Sequence, residues 1–219
     1  AYAVPRRTVL EDGKEAVFNE NEVQEISCYY IQDKFGYCKL MDEATYQRNQ
    51  AAVDSDNRFV LKCKNTDRVL LFTDKGNMHQ IKCQDVPLGK FKDKGVPIDN
   101  ISKYNANQEE IIYANVKSAL AGKTLIFATR DAMVKLVETS EFETANKLVA
   151  STKLGEGDRL IEIREMAYET DIVFETHDGY FLRCSLSDIP LQKKNSKGVI
   201  GIRLGKCDTL EHFYLLGTE

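Results

Sequence analysis

The chain has 219 residues, with 30 Lys+Arg against 34 Asp+Glu for a formal net charge of −4, 42% hydrophobic residues and 29% charged residues. That balance excludes a disordered chain and fits one all-β domain or one repeat array around a sizeable core. No apolar run approaches the roughly 18 residues of a membrane helix and no signal-peptide pattern opens the chain, so the expectation is a cytoplasmic protein with no membrane partner.

Residues 1–27 are the least regular part, expected to form a closing strand, a partial repeat or a linker from a preceding domain. Within them, 11–25 carry six acids against one lysine, a local −5 that would suit a protein partner. A first hairpin follows through Asp33-Lys34-Phe35-Gly36-Tyr37. A second runs from Val69-Leu70-Leu71-Phe72-Thr73 through Asp74-Lys75-Gly76 into Asn77-Met78-His79-Gln80-Ile81. A third places Asp131 where the others have glycine, and a fourth runs from Ile172-Val173-Phe174 through His177-Asp178-Gly179 into Tyr180-Phe181-Leu182-Arg183. Glycine at such tips supplies the positive φ of a tight hairpin, and Asp is among the few other residues that tolerate it. Short β-rich runs such as Ile111-Ile112-Tyr113, Leu125-Ile126-Phe127 and Leu160-Ile161-Glu162-Ile163 flank these tips. No long helical periodicity competes, although 14–25 and 141–147 could each hold a short helical turn.

The chain repeats itself. Sliding it by 103 residues aligns 76–98 with 179–201 without a gap: Gly76, Asp85, Pro87, Leu88, Lys90, Lys94, Gly95 and Val96 match Gly179, Asp188, Pro190, Leu191, Lys193, Lys197, Gly198 and Val199. A slide of 50 matches Val149, Leu154, Gly155, Asp158 and Leu160 with Val199, Leu204, Gly205, Asp208 and Leu210. Four units, at about 28–66, 67–122, 123–168 and 169–219, have the period of propeller blades. The prediction is one all-β, propeller-like domain over 1–219, with about four to five blades built from repeated hairpins.

The six cysteines contain no C-x-x-C pair, and the three histidines are scattered. No zinc spacing, nucleophile–base pair or phosphate-cradling glycine loop stands out, so the reading is reduced structural thiols, no metal, no cofactor and no catalysis by this chain.

Thr-Asp-Lys-Gly-Asn-Met-His-Gln-Ile-Lys at 73–82, then Asp85-Val86-Pro87 and Lys94-Gly95-Val96-Pro97-Ile98, resembles the repeat in the C-terminal domain of the A subunit of bacterial type IIA topoisomerases, DNA gyrase and topoisomerase IV. The last unit is similar, with Asp178-Gly179-Tyr180-Phe181-Leu182-Arg183, Asp188-Ile189-Pro190 and Lys197-Gly198-Val199, and Phe35-Gly36-Tyr37-Cys38-Lys39 is close to the family's G-Y-x-K-R hairpin. The resemblance implies a β-pinwheel whose blades exchange strands and whose basic rim bends or wraps duplex DNA. It implies a non-catalytic, nucleoid-associated part of an ATP-dependent enzyme, working with the breakage-reunion part of the same polypeptide and with an ATPase B subunit. The family's catalytic tyrosine follows an arginine, and this chain has no Arg-Tyr dipeptide. The glycine-rich basic box of gyrases, Q-R-R-G-G-K-G, should fall at 49–55, which here reads Asn-Gln-Ala-Ala-Val-Asp-Ser. Its loss favours a topoisomerase IV-like or divergent gyrase-like domain. A degenerate echo, Gln192-Lys193-Lys194-Asn195-Ser196-Lys197-Gly198, stands at the same offset in the fourth unit.

Residues 180–206 carry six basic side chains against Asp188 alone, a local +5 inside an acidic total. The candidate DNA contacts are therefore Lys193, Lys194 and Lys197 in one loop and Lys90, Lys92 and Lys94 in its counterpart. Gly95 and Gly198 beside them would admit a phosphate to the backbone. Lys39 and Arg183, just past hairpin tips, are further candidates on strands whose alternate side chains face outward. The plain alternative makes these lysines solvated edge charges of a protein-interaction propeller.

Overall fold

The computed structural model describes residues 24–217, so the readings made for 1–23, most of the acidic segment among them, lie outside the described residues. The elements group into four hairpin-centred sets. The first holds β1 (Ser27–Asp33), β2 (Tyr37–Asp42), α1 (Glu43–Asp56) and β3 (Asn57–Lys64). The second holds β4 (Arg68–Thr73), β5 (Asn77–Lys82), β6 (Val96–Pro97), α2 (Ile98–Ile101), β7 (Ile111–Val116) and α3 (Lys117–Leu120). The third holds β8 (Thr124–Thr129), β9 (Met133–Glu138), β10 (Leu148–Ala150) and β11 (Leu160–Glu165). The fourth holds β12 (Glu169–Thr176), β13 (Phe181–Ser185), β14 (Val199–Ile200) and β15 (Leu210–Gly217).

These strands form four small antiparallel sheets in the orders β3-β1-β2-β6, β10-β5-β4-β7, β11-β8-β9-β14 and β13-β12-β15. Each of the first three takes its fourth strand from the next unit: β6 pairs with β2, β10 with β5, and β14 with β9. The fold is the propeller-like pinwheel expected, with β3, β7, β11 and β15 lying side by side as the inner strands. The fourth sheet has three strands among the described residues, and Tyr180, Phe181 and Leu182 lie exposed along its outer edge.

Each hairpin closes alike. The N–H groups of Gly36, Gly76, Ala132 and Gly179 donate to the carbonyls of Asp33, Thr73, Thr129 and Thr176. The closing residue has φ of +84°, +72°, +59° and +83° in turn. The third tip is therefore Ala132, one place beyond the Asp131 expected from sequence. Its buried methyl packs between the third and fourth sheets, which favours a small apolar residue over a polar one there.

Alternation along the strands builds the core between sheets. Val69 and Leu71, with Ile81 on the neighbouring strand, face the first sheet, where they meet Tyr30 and Leu40. Leu70 and Phe72, on the opposite face of the same strand, meet Leu125, Phe127 and Phe142. Ile126 and Ala128 then face Ile172, Phe174 and Phe213 in the fourth sheet. The outer face of the first sheet is covered by α1, where Tyr46 stacks on Tyr29 at 3.7 Å between ring centroids and packs with Ile31, Met41 and Val53. Asp42 starts this helix by accepting from the Thr45 N–H (2.8 Å) and hydroxyl (2.6 Å). Sequence reasoning missed α1 because only Tyr46 and Val53 of its 14 residues are buried, too few to mark an apolar stripe. At 141–147, where the sequence suggests a helical turn, only Glu141 and Phe142 belong to a 3-10 turn (Thr139–Phe142).

This packing has two testable consequences. A Cβ on Gly198 would stand 2.5 Å from the Val134 carbonyl oxygen, and one on Gly95 would stand 2.2 Å from that of Cys38. Gly36 shares their positive φ but has nothing within 4 Å. Gly198→Ala should therefore cost about 3 kcal/mol in urea unfolding, while Gly36→Ala should cost about 1 kcal/mol, the backbone term alone. The second concerns Glu109, which accepts from Thr73 Oγ1 (2.7 Å) and Asn77 Nδ2 (3.0 Å) and lies 2.7 Å from His79 Nε2, all nearly buried. Burial raises its pKa, but the Asn77, Thr73 and His79 contacts outweigh that and hold the carboxyl below its ordinary value. A depressed carboxylate contributes stability that is complete above the unfolded-state pKa, about 4.3, and is lost as pH falls through the folded value. Stability should thus fall more steeply with acid below about pH 4.5 in the native chain than in Glu109→Gln, read from urea midpoints across a pH series.

Candidate nucleic-acid interface

The two lysine-bearing loops are built alike. Each leaves a short 3-10 turn, Cys83–Asp85 or Leu186–Asp188, and passes to the sheet of the preceding unit. There Pro87 and Pro190 accept from the N–H groups of Leu40 (2.9 Å) and Leu136 (3.1 Å), while Gly89 and Gln192 donate back to the same residues at 2.8 Å. Leu88 and Leu191 make parallel bridges to Leu40 and Leu136. The chain then turns through the lysines and re-enters the sheet as β6 or β14. The repeated Asp-x-Pro-Leu and Lys-Gly-Val patterns thus mark the two ends of a docked crossover, with the lysines on the turn between them.

Lys90, Lys92, Lys94, Lys193 and Lys197 are exposed on these turns, and Lys194 is half-buried. Lys94 places its ammonium 4.0 Å from the centroid of the Tyr37 ring. Lys194 donates to the Glu141 carbonyl at 2.6 Å, so its charge is partly engaged. Asp93 interrupts the first cluster and caps its turn by accepting from the Lys90 N–H at 2.7 Å. Arg183 is exposed but forms an ion pair with Asp171, with Nε and Nη2 at 2.7 and 2.5 Å from one carboxylate oxygen.

Lys39 corrects the expectation of an exposed rim contact. It is only 8% exposed, and its Nζ donates to the carbonyls of Lys90 (3.0 Å), Phe91 (2.9 Å) and Asp93 (2.6 Å). Alternation along β2 faces it away from the core, but the incoming loop of the next unit covers that face. Lys135, which sequence reasoning did not single out, does the same on β9: at 1% exposure its Nζ reaches the carbonyls of Lys193 (3.2 Å), Lys194 (2.8 Å) and Ser196 (2.9 Å). Each lysine lies three residues past the residue that closes its hairpin, a shared position that emerges only once Ala132, and not Asp131, is seen to take the positive φ. Gly95 and Gly198 are likewise not open to a phosphate at their Cα, since the space beside them is filled by Cys38 and Val134.

The box position, 49–55, lies on α1, where Asn49 interrupts the helical φ/ψ. It presents no glycine turn and no basic cluster. Where the inner strands converge, a recess of about 470 Å³ is lined by Arg58, Asp74, Arg130, Arg159, His177 and Glu211 among others, a mixture of charge with no single sign. No helix among the described residues is long and apolar enough to cross a membrane.

Comparison with known proteins agrees with this architecture. The chain is 29% identical over 221 residues to the A subunit of DNA gyrase from Lawsonia intracellularis, covering 95% of this chain and 27% of that protein. It is 27% identical over 232 residues to the A subunit of DNA topoisomerase 4 from Streptococcus pneumoniae, covering all of this chain and 28% of that protein. The chain therefore spans about a quarter of the length of these relatives. A crystal structure of the C-terminal domain of DNA topoisomerase IV superimposes with a TM-score of 0.79 at 24% identity, covering 90% of this chain and 63% of that one. The family model described as "DNA gyrase C-terminal domain, beta-propeller" matches residues 67–116, 123–164 and 170–216. Hairpin, crossover and exchanged strand recur in the matched units, and the chain belongs to the DNA gyrase C-terminal domain family of beta-propellers.

Proposed function

We propose that this domain binds duplex DNA along its rim as the non-catalytic C-terminal part of the A subunit of a bacterial type IIA topoisomerase. There it bends the duplex for strand passage by the breakage-reunion part of the same polypeptide and its ATPase B partner, at the nucleoid in the cytoplasm. The observation that carries this reading is the pair of docked crossovers that present Lys90, Lys92 and Lys94 and Lys193, Lys194 and Lys197 on exposed or half-exposed turns. Flexible ammonium groups on outward turns neutralise phosphates and release counterions, which gives salt-dependent binding with little sequence preference. With a helix where the glycine-rich basic box would stand, the reading is of a topoisomerase IV-like or divergent gyrase-like domain that engages DNA without strong chiral wrapping.

Changing Lys193, Lys194 and Lys197 together to Ala should weaken duplex binding about tenfold near 0.1 M salt and lower the slope of log K against log[salt] by about 2. Three fully free lysines would lower it by about 3, but Lys194 is already engaged by Glu141. Thermal stability should stay nearly constant, because these side chains carry little of the core. An unchanged slope would overturn the assignment of this loop, and no salt-sensitive binding by the native chain would favour a protein-interaction propeller.

Ligating nicked plasmid in the presence of the domain and resolving the topoisomers tests the second part. The expected result is binding without a one-handed shift in linking number. A protein-dependent shift of one sign would instead establish gyrase-like wrapping.

A further inference from the structure

The two lysine loops share a feature beyond their sequence. Each folds around a buried ammonium supplied by the neighbouring unit, Lys39 or Lys135, which accounts for three loop carbonyls at 2.6–3.2 Å. An ammonium has three donors, so each is fully satisfied in its cradle. A trans peptide sets its C=O and N–H in opposite directions. Carbonyls of Lys90, Phe91 and Asp93 that converge on Lys39 therefore turn the N–H groups of Phe91, Lys92 and Lys94 away from it. In the other loop, the N–H groups of Asn195 and Lys197 are turned away from Lys135 in the same way. Outward N–H groups interleaved with lysine side chains are donors suited to a phosphate oxygen.

We propose that Lys39 and Lys135 are positioning residues for DNA binding: buried cations that never touch the duplex but hold the rim loops 90–94 and 193–197 in their phosphate-binding shape. The proposal rests on the reading of these loops as the DNA contacts. It takes the charge as well as the hydrogen bonds to matter, since a neutral amine has two donors for three carbonyls and releases one of them from the cradle.

The surroundings of Lys135 make its charge adjustable. Burial draws its pKa down to about 8, with Glu141 pulling the other way. Around it also stand the Phe127 ring at 5.5 Å and the backbone carbonyls of Lys193, Lys194 and Ser196 in the loop it holds. Raising the pH from 7 to 9 therefore carries Lys135 from its charged to its neutral form.

The test is a double-mutant cycle on the full chain, reading affinity for a labelled random-sequence duplex. Lys135→Met should weaken binding about fivefold to tenfold although its side chain is buried, and should add almost nothing in the background of Lys193→Ala, Lys194→Ala and Lys197→Ala. Amide exchange should quicken in 192–198 and stay unchanged in the strands of the second sheet. From pH 7 to 9 the native chain should lose affinity toward the level of Lys135→Met, while that variant stays nearly flat. Full affinity in Lys135→Met, with the triple-alanine chain weakened, would overturn the positioning role. Equal losses in both backgrounds would also overturn it, by showing a general loss of structure. No effect of the triple substitution would instead bring down the DNA reading itself, and this proposal with it. Should Lys135→Met fail to fold, the same cycle with Lys39→Met against Lys90→Ala, Lys92→Ala and Lys94→Ala gives the decision.

Discussion

The whole assembly depends on one close approach, that of an exchanged segment against the outer hairpin of the preceding unit. At Gly95 and Gly198 the backbones come so near that a Cβ would stand 2.2 and 2.5 Å from a carbonyl oxygen. In the second sheet the glycine lies on the receiving side instead: Gly76 accepts from the N–H groups of Ser151 (2.7 Å) and Thr152 (3.3 Å), and a Cβ there would meet Thr152 at 3.0 Å. A glycine on one side or the other is thus what lets a unit complete its neighbour. The consequence is cooperative. Removing one unit would strip the adjoining sheet of a strand as well as its own, unlike a simple stack of independent repeats.

Exchange also explains the character of the strands. A strand between two neighbouring sheets has no solvent face, so β4 reads Val69-Leu70-Leu71-Phe72 without alternation of polar and apolar residues. Alternation survives as a division of partners: odd positions pack toward one sheet and even positions toward the next. At the first sheet that second face is covered by α1 through Tyr46 and Val53, a helix of little intrinsic amphipathicity held by its Asp42 cap and a Tyr–Tyr stack.

Much of this was legible in the sequence. Hairpin tips announce themselves through Gly36, Gly76 and Gly179, and the 103-residue slide finds both crossovers at once. What sequence could not supply were features set by distant partners. The strand that β6 joins depends on contacts with a unit more than fifty residues away, and nothing local encodes it. Ala132, and not Asp131, takes the positive φ of the third tip, because burial between two sheets outweighs the local preference for Asp. Strand alternation alone would leave Lys39 exposed, since the loop that buries it comes from another unit. For the candidate interface, the exposed lysines could be found by composition and register, whereas the cations beneath them required the fold.

The residue three places past each tip ties these observations together. It is Lys39 and Lys135 where the incoming crossover is long and turns its carbonyls inward. It is His79 on the second sheet, where the incoming stretch between Phe142 and Leu148 is short, and there the buried partner is Glu109 from the same unit. It is Leu182 on the fourth sheet, 40% exposed, along an edge with no exchanged strand among the described residues. One position in the repeat therefore matches what docks upon it. A buried lysine stands under each basic loop, and a histidine beside a carboxylate stands where there is no such loop. Three convergent carbonyls satisfy a buried ammonium, and where the incoming stretch is short a histidine meets a carboxylate instead. The side chain at this one position therefore distinguishes the sheets that receive a lysine-bearing loop from the second sheet, which does not.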